Sequence, residues 1–89
     1  MKHLSIKVEG IVQGVGFRWA ARAKANQLGV TGFARNEPDE SVFIEAEADE
    51  ATLETFRAWC EQGPVSARVD RVTVVPGKVR GYSGFEIRD

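Results

Sequence analysis

The sequence predicts an α+β fold: one mostly antiparallel sheet with two helices on the same face, in the order β-α-β-β-α-β plus a short closing strand. Three observations predict it. The runs Leu4–Val12 and Ser41–Ala48 alternate apolar and polar residues with period two. Residues 17–28 and 50–62 instead carry apolar residues three and four apart, the spacing of a helix stripe. Glycine, proline and aspartate mark the joins between these runs.

In the first strand Leu4, Ile6, Val8, Gly10 and Val12 share one face, while Ser5, Lys7 and Glu9 fall between them. His3, the lone histidine, stands at its beginning and reads as solvent-facing. Phe17, Ala21, Ala25 and Leu28 form the stripe of the first helix, with Gly29 and Val30 ending it. Thr31–Asn36 is a second strand, entered through Gly32, and Glu37-Pro38-Asp39-Glu40 is a turn. Along Ser41–Ala48 the residues Val42, Ile44, Ala46 and Ala48 point inward. Glu45 and Glu47 then occupy what reads as a solvated face rather than an acid–base pair.

Asp49 is a natural N-cap for the helix over 50–62, whose stripe is Leu53, Phe56, Trp59 and Cys60. Cys60 therefore reads as a small core residue, not a nucleophile. Gly63-Pro64 stops this helix. Ala67–Val75 supplies a fourth strand, blurred at Asp70-Arg71 in the manner of a bulge. Pro76–Gly84 is loop, and Phe85–Arg88 a short last strand.

Composition bounds the function. The 89 residues read as one domain over 1–89, with 43% apolar and 28% charged residues and a net charge of −1. That charge argues against a general nucleic-acid binder, which needs a basic face, but leaves room for a small anionic substrate. One cysteine and one histidine provide neither a disulfide nor a metal framework. With no apolar leader and no run of transmembrane length, a cytoplasmic monomer is the expectation.

Chemistry concentrates in Gly10-Ile11-Val12-Gln13-Gly14-Val15-Gly16-Phe17-Arg18, a glycine-rich loop between a strand and a helix. That arrangement gathers backbone N–H groups and a helix N-terminus around one cavity suited to phosphate. Arg18 falls at the start of the helix, where the macrodipole disfavours a cation by a few tenths to ~1 kcal/mol. A bound dianion reverses that sign, and a guanidinium fork matches two phosphate oxygens at once. From the residues alone the alternative is an ordinary surface arginine beside a glycine turn. The loop is not a dinucleotide fingerprint, since Trp19 replaces the third glycine, nor a P-loop, since no Gly-Lys-Ser/Thr follows.

This loop resembles the signature Gly-x-Val-Gln-Gly-Val-x-Phe-Arg of the acylphosphatase family, matched at Gly10, Val12, Gln13, Gly14, Val15, Phe17 and Arg18. Gly32-Phe33-Ala34-Arg35-Asn36 resembles the family's second block. Ser66-Ala67-Arg68-Val69-Asp70-Arg71-Val72 and Gly84-Phe85-Glu86-Ile87 continue the likeness over nearly the whole chain. The resemblance implies a ferredoxin-like sandwich that hydrolyses the carboxyl–phosphate bond of acyl phosphates without metal or cofactor. It implies that Arg18 and the N–H groups of Gln13, Gly14, Val15, Gly16, Phe17 and Arg18 bind the phosphoryl group, a site open to free phosphate or sulfate. Asn36 is implied to orient the attacking water. Phosphoryl transfer needs positioning and charge compensation more than covalent help, so this division of labour is chemically sufficient. No general base is visible beside the loop; the substrate's own phosphate can accept the proton.

Two positions depart from the family pattern: Glu40 and Ala48 stand where it has glycine. Either Glu40 adopts a left-handed conformation at a strain of ~1 kcal/mol or more, or the turn is redrawn. The competing function is a non-catalytic module that binds phosphate or a phosphorylated metabolite at the same loop. RNA binding ranks last, because the third strand offers only Phe43 for base stacking.

Overall fold

The computed structural model describes residues 1–89. Its elements are β1 (Lys2–Ile11), α1 (Phe17–Leu28), β2 (Thr31–Asn36), β3 (Val42–Ala48), α2 (Glu50–Gln62), β4 (Arg68–Gly77) and β5 (Phe85–Arg88). They form one sheet in the order β4-β1-β3-β2-β5, antiparallel throughout except for the β2–β5 pair. This is the ferredoxin-like plan expected from the period-two and helical runs.

The register explains the core. Ile6 lies opposite Ile44 and Val8 opposite Val42, so the even positions of β1 and β3 form one apolar face. Phe17, Ala21 and Ala25 of α1 and Leu53, Phe56 and Cys60 of α2 are buried against it. Helix α1 lies over β2 and β5, and α2 over β1, β3 and β4. Burial pushes the Cys60 thiol up to about 12, which leaves it protonated and inert. The Asp49 carboxylate caps α2 by accepting from the Thr52 N–H at 2.8 Å, a bond that holds its pKa below the usual value.

The β1–β4 register shifts between Glu9 and Gly10, which face Arg71 and Val69 and leave Asp70 as the extra residue of a bulge. At this point β4 crowds β1: a Cβ on Gly10 would stand 2.1 Å from the Arg68 carbonyl oxygen. Strand β4 runs two residues past the expected end at Val75, through Pro76 to Gly77. It can do so because β4 is an edge strand, whose outward N–H groups need no partner.

The helix-free face of the sheet differs from the sequence reading. His3 is 3% exposed and Glu47 fully buried, although both were expected in solvent. Topology is the cause. Strands β4 and β5 occupy opposite edges, so residues 78–84 cross this face and cover it. The crossing segment gives the N–H groups of Arg80, Gly81 and Tyr82 to the Glu47 carboxylate, and His3 Nδ1 lies 2.7 Å from Glu47 Oε2. Glu45 is half-buried and accepts from the Tyr82 hydroxyl. Burial pushes the Glu47 pKa up, but these donors outweigh it, and the carboxyl is held below its ordinary 4.5.

Between β2 and β3, the Glu40 N–H reaches the Glu37 carbonyl at 3.0 Å and the Glu37 N–H reaches the Ser41 carbonyl at 2.9 Å. This is a type I turn with Pro38 at its second position, followed by a left-handed residue that forms a bulge. That residue is Glu40, the only non-glycine with positive φ, at 73°. The family's glycine at this position is therefore a conformational requirement that Glu40 meets under strain.

Replacing Glu40 with Gly relieves ~1–2 kcal/mol of left-handed strain and returns ~0.5–1 kcal/mol through the freer unfolded chain. A calorimetric Tm about 2–4 °C higher is expected; an unchanged or lower Tm contradicts the strain. Because the folded pKa of Glu47 is depressed, its stabilisation is present above pH 4.5 and is lost as pH falls through the folded value. Urea midpoints measured from pH 7 to pH 3 should fall less steeply in Glu47→Gln than in the wild type. Parallel curves would show that the Glu47 charge contributes nothing.

Candidate active site

The loop between β1 and α1 turns through Gly14 and Gly16, with φ of 74° and 78°. Gly16 is the N-cap of α1, offers no side-chain cap, and precedes a first turn without an acidic residue. Its carbonyl accepts the Ala20 N–H at 3.0 Å, so the helix is fully formed from its first turn. The N-terminal end of α1 is thus an uncompensated concentration of positive partial charge.

Side chains on either side hold this loop rigid. Phe17 is buried in the core, with its ring centroid 5.5 Å from that of Trp59. Val15 packs on the core, and its carbonyl accepts from Ser66 Oγ at 2.7 Å. Gln13 Nε2 donates to the carbonyls of Glu37 and Ser41, both at 2.9 Å, and ties the loop to the β2–β3 hairpin. The side chains of Gln13, Val15 and Phe17 are thereby committed to the fold. Only their backbone groups remain to meet a guest, and with Gly14 and Gly16 in between the loop presents main chain.

Arg18 projects from the first turn of α1, its side chain 23% exposed. One nitrogen, Nη1, donates to the Arg88 carbonyl at 2.9 Å and lies 3.7 Å from Asp89 Oδ1. A guanidinium has five N–H donors, so most of its capacity is open. Arg88 in β5 pairs with Arg35 in β2, and Asn36 follows Arg35. Strand alternation puts Arg35 on the helix-free face, its guanidinium 4.9 Å from the Phe43 centroid and paired with Glu37 at 2.9 Å. Asn36 falls on the other face with buried Ala34, the side on which α1 lies. Its Oδ1 is buried with no hydrogen-bond partner in the protein.

An unpartnered buried carbonyl oxygen costs ~1–3 kcal/mol, and folds retain such a group where a functional contact needs it. One shallow cavity lies on the loop and another between α1 and β5. The first, about 470 Å³, is lined by residues 10–14 and Glu40. The other, about 460 Å³, lies against Trp19, Arg22, Phe85, Ile87 and Asp89. Neither is lined by Arg18 or Asn36.

The sequence singles out Arg18, Asn36 and the loop as candidates, but not the contacts that hold Arg18 and the loop. The Ser66 hydroxyl and the Arg88 carbonyl act across 51 and 70 residues of chain. No local pattern reports such contacts. The Gln13 amide could have been noticed: a long polar side chain beside glycines in a tight loop needs partners if it is not in solvent.

The sequence profile of the family described as Acylphosphatase matches residues 4–87. An acylphosphatase of Thermotoga petrophila is 49% identical over 88 residues, covering 99% of this chain and 98% of that protein. The crystal structure of acylphosphatase from Bacillus subtilis superposes with a TM-score of 0.97 at 31% identity, covering 100% of both chains. The structure of an acylphosphatase from Coxiella burnetii gives 0.94 at 32% identity, covering 98% of this chain and 92% of the other. With the family's profile matched over residues 4–87 and the fold and whole length in agreement, the chain belongs to the acylphosphatase family.

Proposed function

We propose that this chain hydrolyses the carboxyl–phosphate bond of acyl phosphates at the Gln13–Arg18 loop, with Arg18 holding the phosphoryl group and Asn36 the water. The observation that carries this reading is the buried, unpartnered Oδ1 of Asn36, which follows Arg35, the β2 partner of the Arg88 whose carbonyl holds Arg18. An acceptor there takes one proton of a water in hydrogen bond and leaves its lone pair free to face phosphorus.

The loop N–H groups and the Arg18 fork compensate charge on the equatorial oxygens as the transition state loosens. Water attacks phosphorus, the bond from phosphorus to the carboxyl oxygen breaks, and its electron pair leaves with the carboxylate. The water proton passes to a phosphate oxygen, giving inorganic phosphate. A carboxylate is a good leaving group, so no acid is required to protonate it. Because the loop is clamped by Gln13, Ser66 and Phe17, its donors need little reorganisation during the reaction.

One chain supplies the loop, Arg18 and Asn36, so the site needs no second subunit, and the reading is of a monomer acting on small molecules, with the cytoplasm as its proposed compartment. Phosphate or sulfate would compete for the same loop. Nucleic acid and membrane surfaces are not proposed partners for a chain of net charge −1.

Phosphate release from a simple acyl phosphate tests the proposal. Arg18→Gln should lose at least about 10³-fold in kcat/KM together with measurable phosphate inhibition. Asn36→Ala should lose about 10²-fold or more in kcat while phosphate inhibition stays within about twofold. No release by folded wild-type protein would leave the loop as a phosphate-binding module. Equal loss of phosphate affinity in both variants would contradict the separate roles. Gln13→Ala should lower stability by about 1–2 kcal/mol in urea unfolding, since two side-chain bonds to the hairpin are lost; no change would show that the tie is idle.

A further inference from the structure

We propose that Glu47 is a positioning residue for Arg18, acting through the segment that crosses the sheet and through β5. This rests on the reading that Arg18 holds the phosphoryl group. Glu47 itself is remote: it pairs with His3 and Thr31, five positions along β3 from Val42, the partner of Asn36. At the rise of a β-strand that separation is about 16 Å.

The coupling runs through named contacts. Glu47 Oε1 accepts the Gly81 and Tyr82 N–H groups at 3.0 and 3.3 Å, while Oε2 accepts the Arg80 N–H and lies 2.7 Å from His3 Nδ1. Three successive N–H groups converging on one anion form a backbone nest, and Gly81 supplies the left-handed φ of 79° that such a nest needs. Here the anion is a side chain of the protein's own central sheet.

From that nest the chain runs to Gly84, whose carbonyl accepts the Gly32 N–H at 2.8 Å and sets the start of β5. Strand β5 is four residues long, lies at the edge, and pairs with β2 alone. So short an edge strand depends on what leads into it. Its last residue, Arg88, offers the carbonyl that holds Arg18 Nη1. A second route reinforces the first: the Tyr82 ring meets Phe33 edge-on at 5.9 Å, and the Arg88 guanidinium lies 4.1 Å from the same Phe33 ring. The segment held by Glu47 thus bears on Arg88 through both its backbone and its side chain. Removing the carboxylate releases the nest and lets Arg88 and Arg18 shift together, with the phosphate loop itself intact.

The test compares Glu47→Ala, Glu47→Gln and the control Leu53→Ala, which opens the core under α2 beside Leu4 of β1 and Pro76 of β4. In the free protein, Glu47→Ala should raise amide exchange across β5 at least tenfold and broaden or shift the Arg18 Nε–H resonance. The inorganic phosphate Kd and the KM should each rise about tenfold, within what a displacement of about 1 Å costs a positioned group, while kcat falls less. Glu47→Gln, which keeps one acceptor oxygen, should fall between Glu47→Ala and wild type. Leu53→Ala, studied below its own Tm, should keep the wild-type phosphate Kd and Arg18 resonance.

An unchanged Arg18 resonance and phosphate Kd in either Glu47 variant overturns the inference, as does an equal change in Leu53→Ala. Should Glu47→Ala not fold, Glu47→Gln against Leu53→Ala decides. Wild-type protein that binds no phosphate would fail the active-site reading instead, and the Arg18 resonance in the free protein still reports the coupling.

Discussion

A cation in the first turn of a helix, beside backbone N–H groups that no acidic side chain caps, is electrostatically unfavourable by itself. The proposed site turns on that conflict. Gly16 replaces the usual capping side chain, the first turn of α1 has no Asp or Glu, and Arg18 is placed where the macrodipole opposes it. An anion held between the loop and the guanidinium turns each of these costs into an attraction. The carbonyl of Arg88 meanwhile holds one nitrogen of Arg18, so the arginine is oriented before a guest arrives. In the proposed reading, affinity for a phosphoryl group comes from where the sheet and the helix meet.

Rigidity around the loop comes from parts of the chain far apart in sequence. Ser66 fixes one carbonyl, Gln13 ties the loop to the hairpin, and Phe17 pins the helix start into the core. The hairpin carries its own cost in Glu40, whose left-handed backbone serves the turn and not the chemistry. On the opposite face the crossing segment is held by a buried carboxylate. A buried charge is tolerated there because every acceptor position is filled by a donor.

Most of the fold was legible because the sequence obeys two periods cleanly. Alternation in Leu4–Val12 and Ser41–Ala48, the Asp49 cap and the Gly29 terminus each report local physics, and local physics decides those elements. The residues proposed for the site stand out in the sequence too, Asn36 through its likeness to the family's second block and Arg18 through its anomalous position. His3 and Glu47 were misread for a definite reason. Polar residues on the odd positions of a strand are solvated only if nothing crosses that face, and here residues 78–84 do. The error was recoverable in principle: a closing strand beside β2 and a fourth strand beside β1 lie at opposite edges, so their connection must cross one face. The contacts of Arg88 and Ser66 had no local trace, since they depend on the register of the assembled sheet.

A crystal structure of the protein with inorganic phosphate tests the central claim most directly. The expected result is a phosphate within hydrogen-bond distance of the backbone N–H groups of residues 13–18, gripped by Arg18, with Arg18 Nη1 still bound to the Arg88 carbonyl and a water on Asn36 Oδ1. At saturating phosphate, a loop without bound anion and an Arg18 side chain turned into solvent would contradict it.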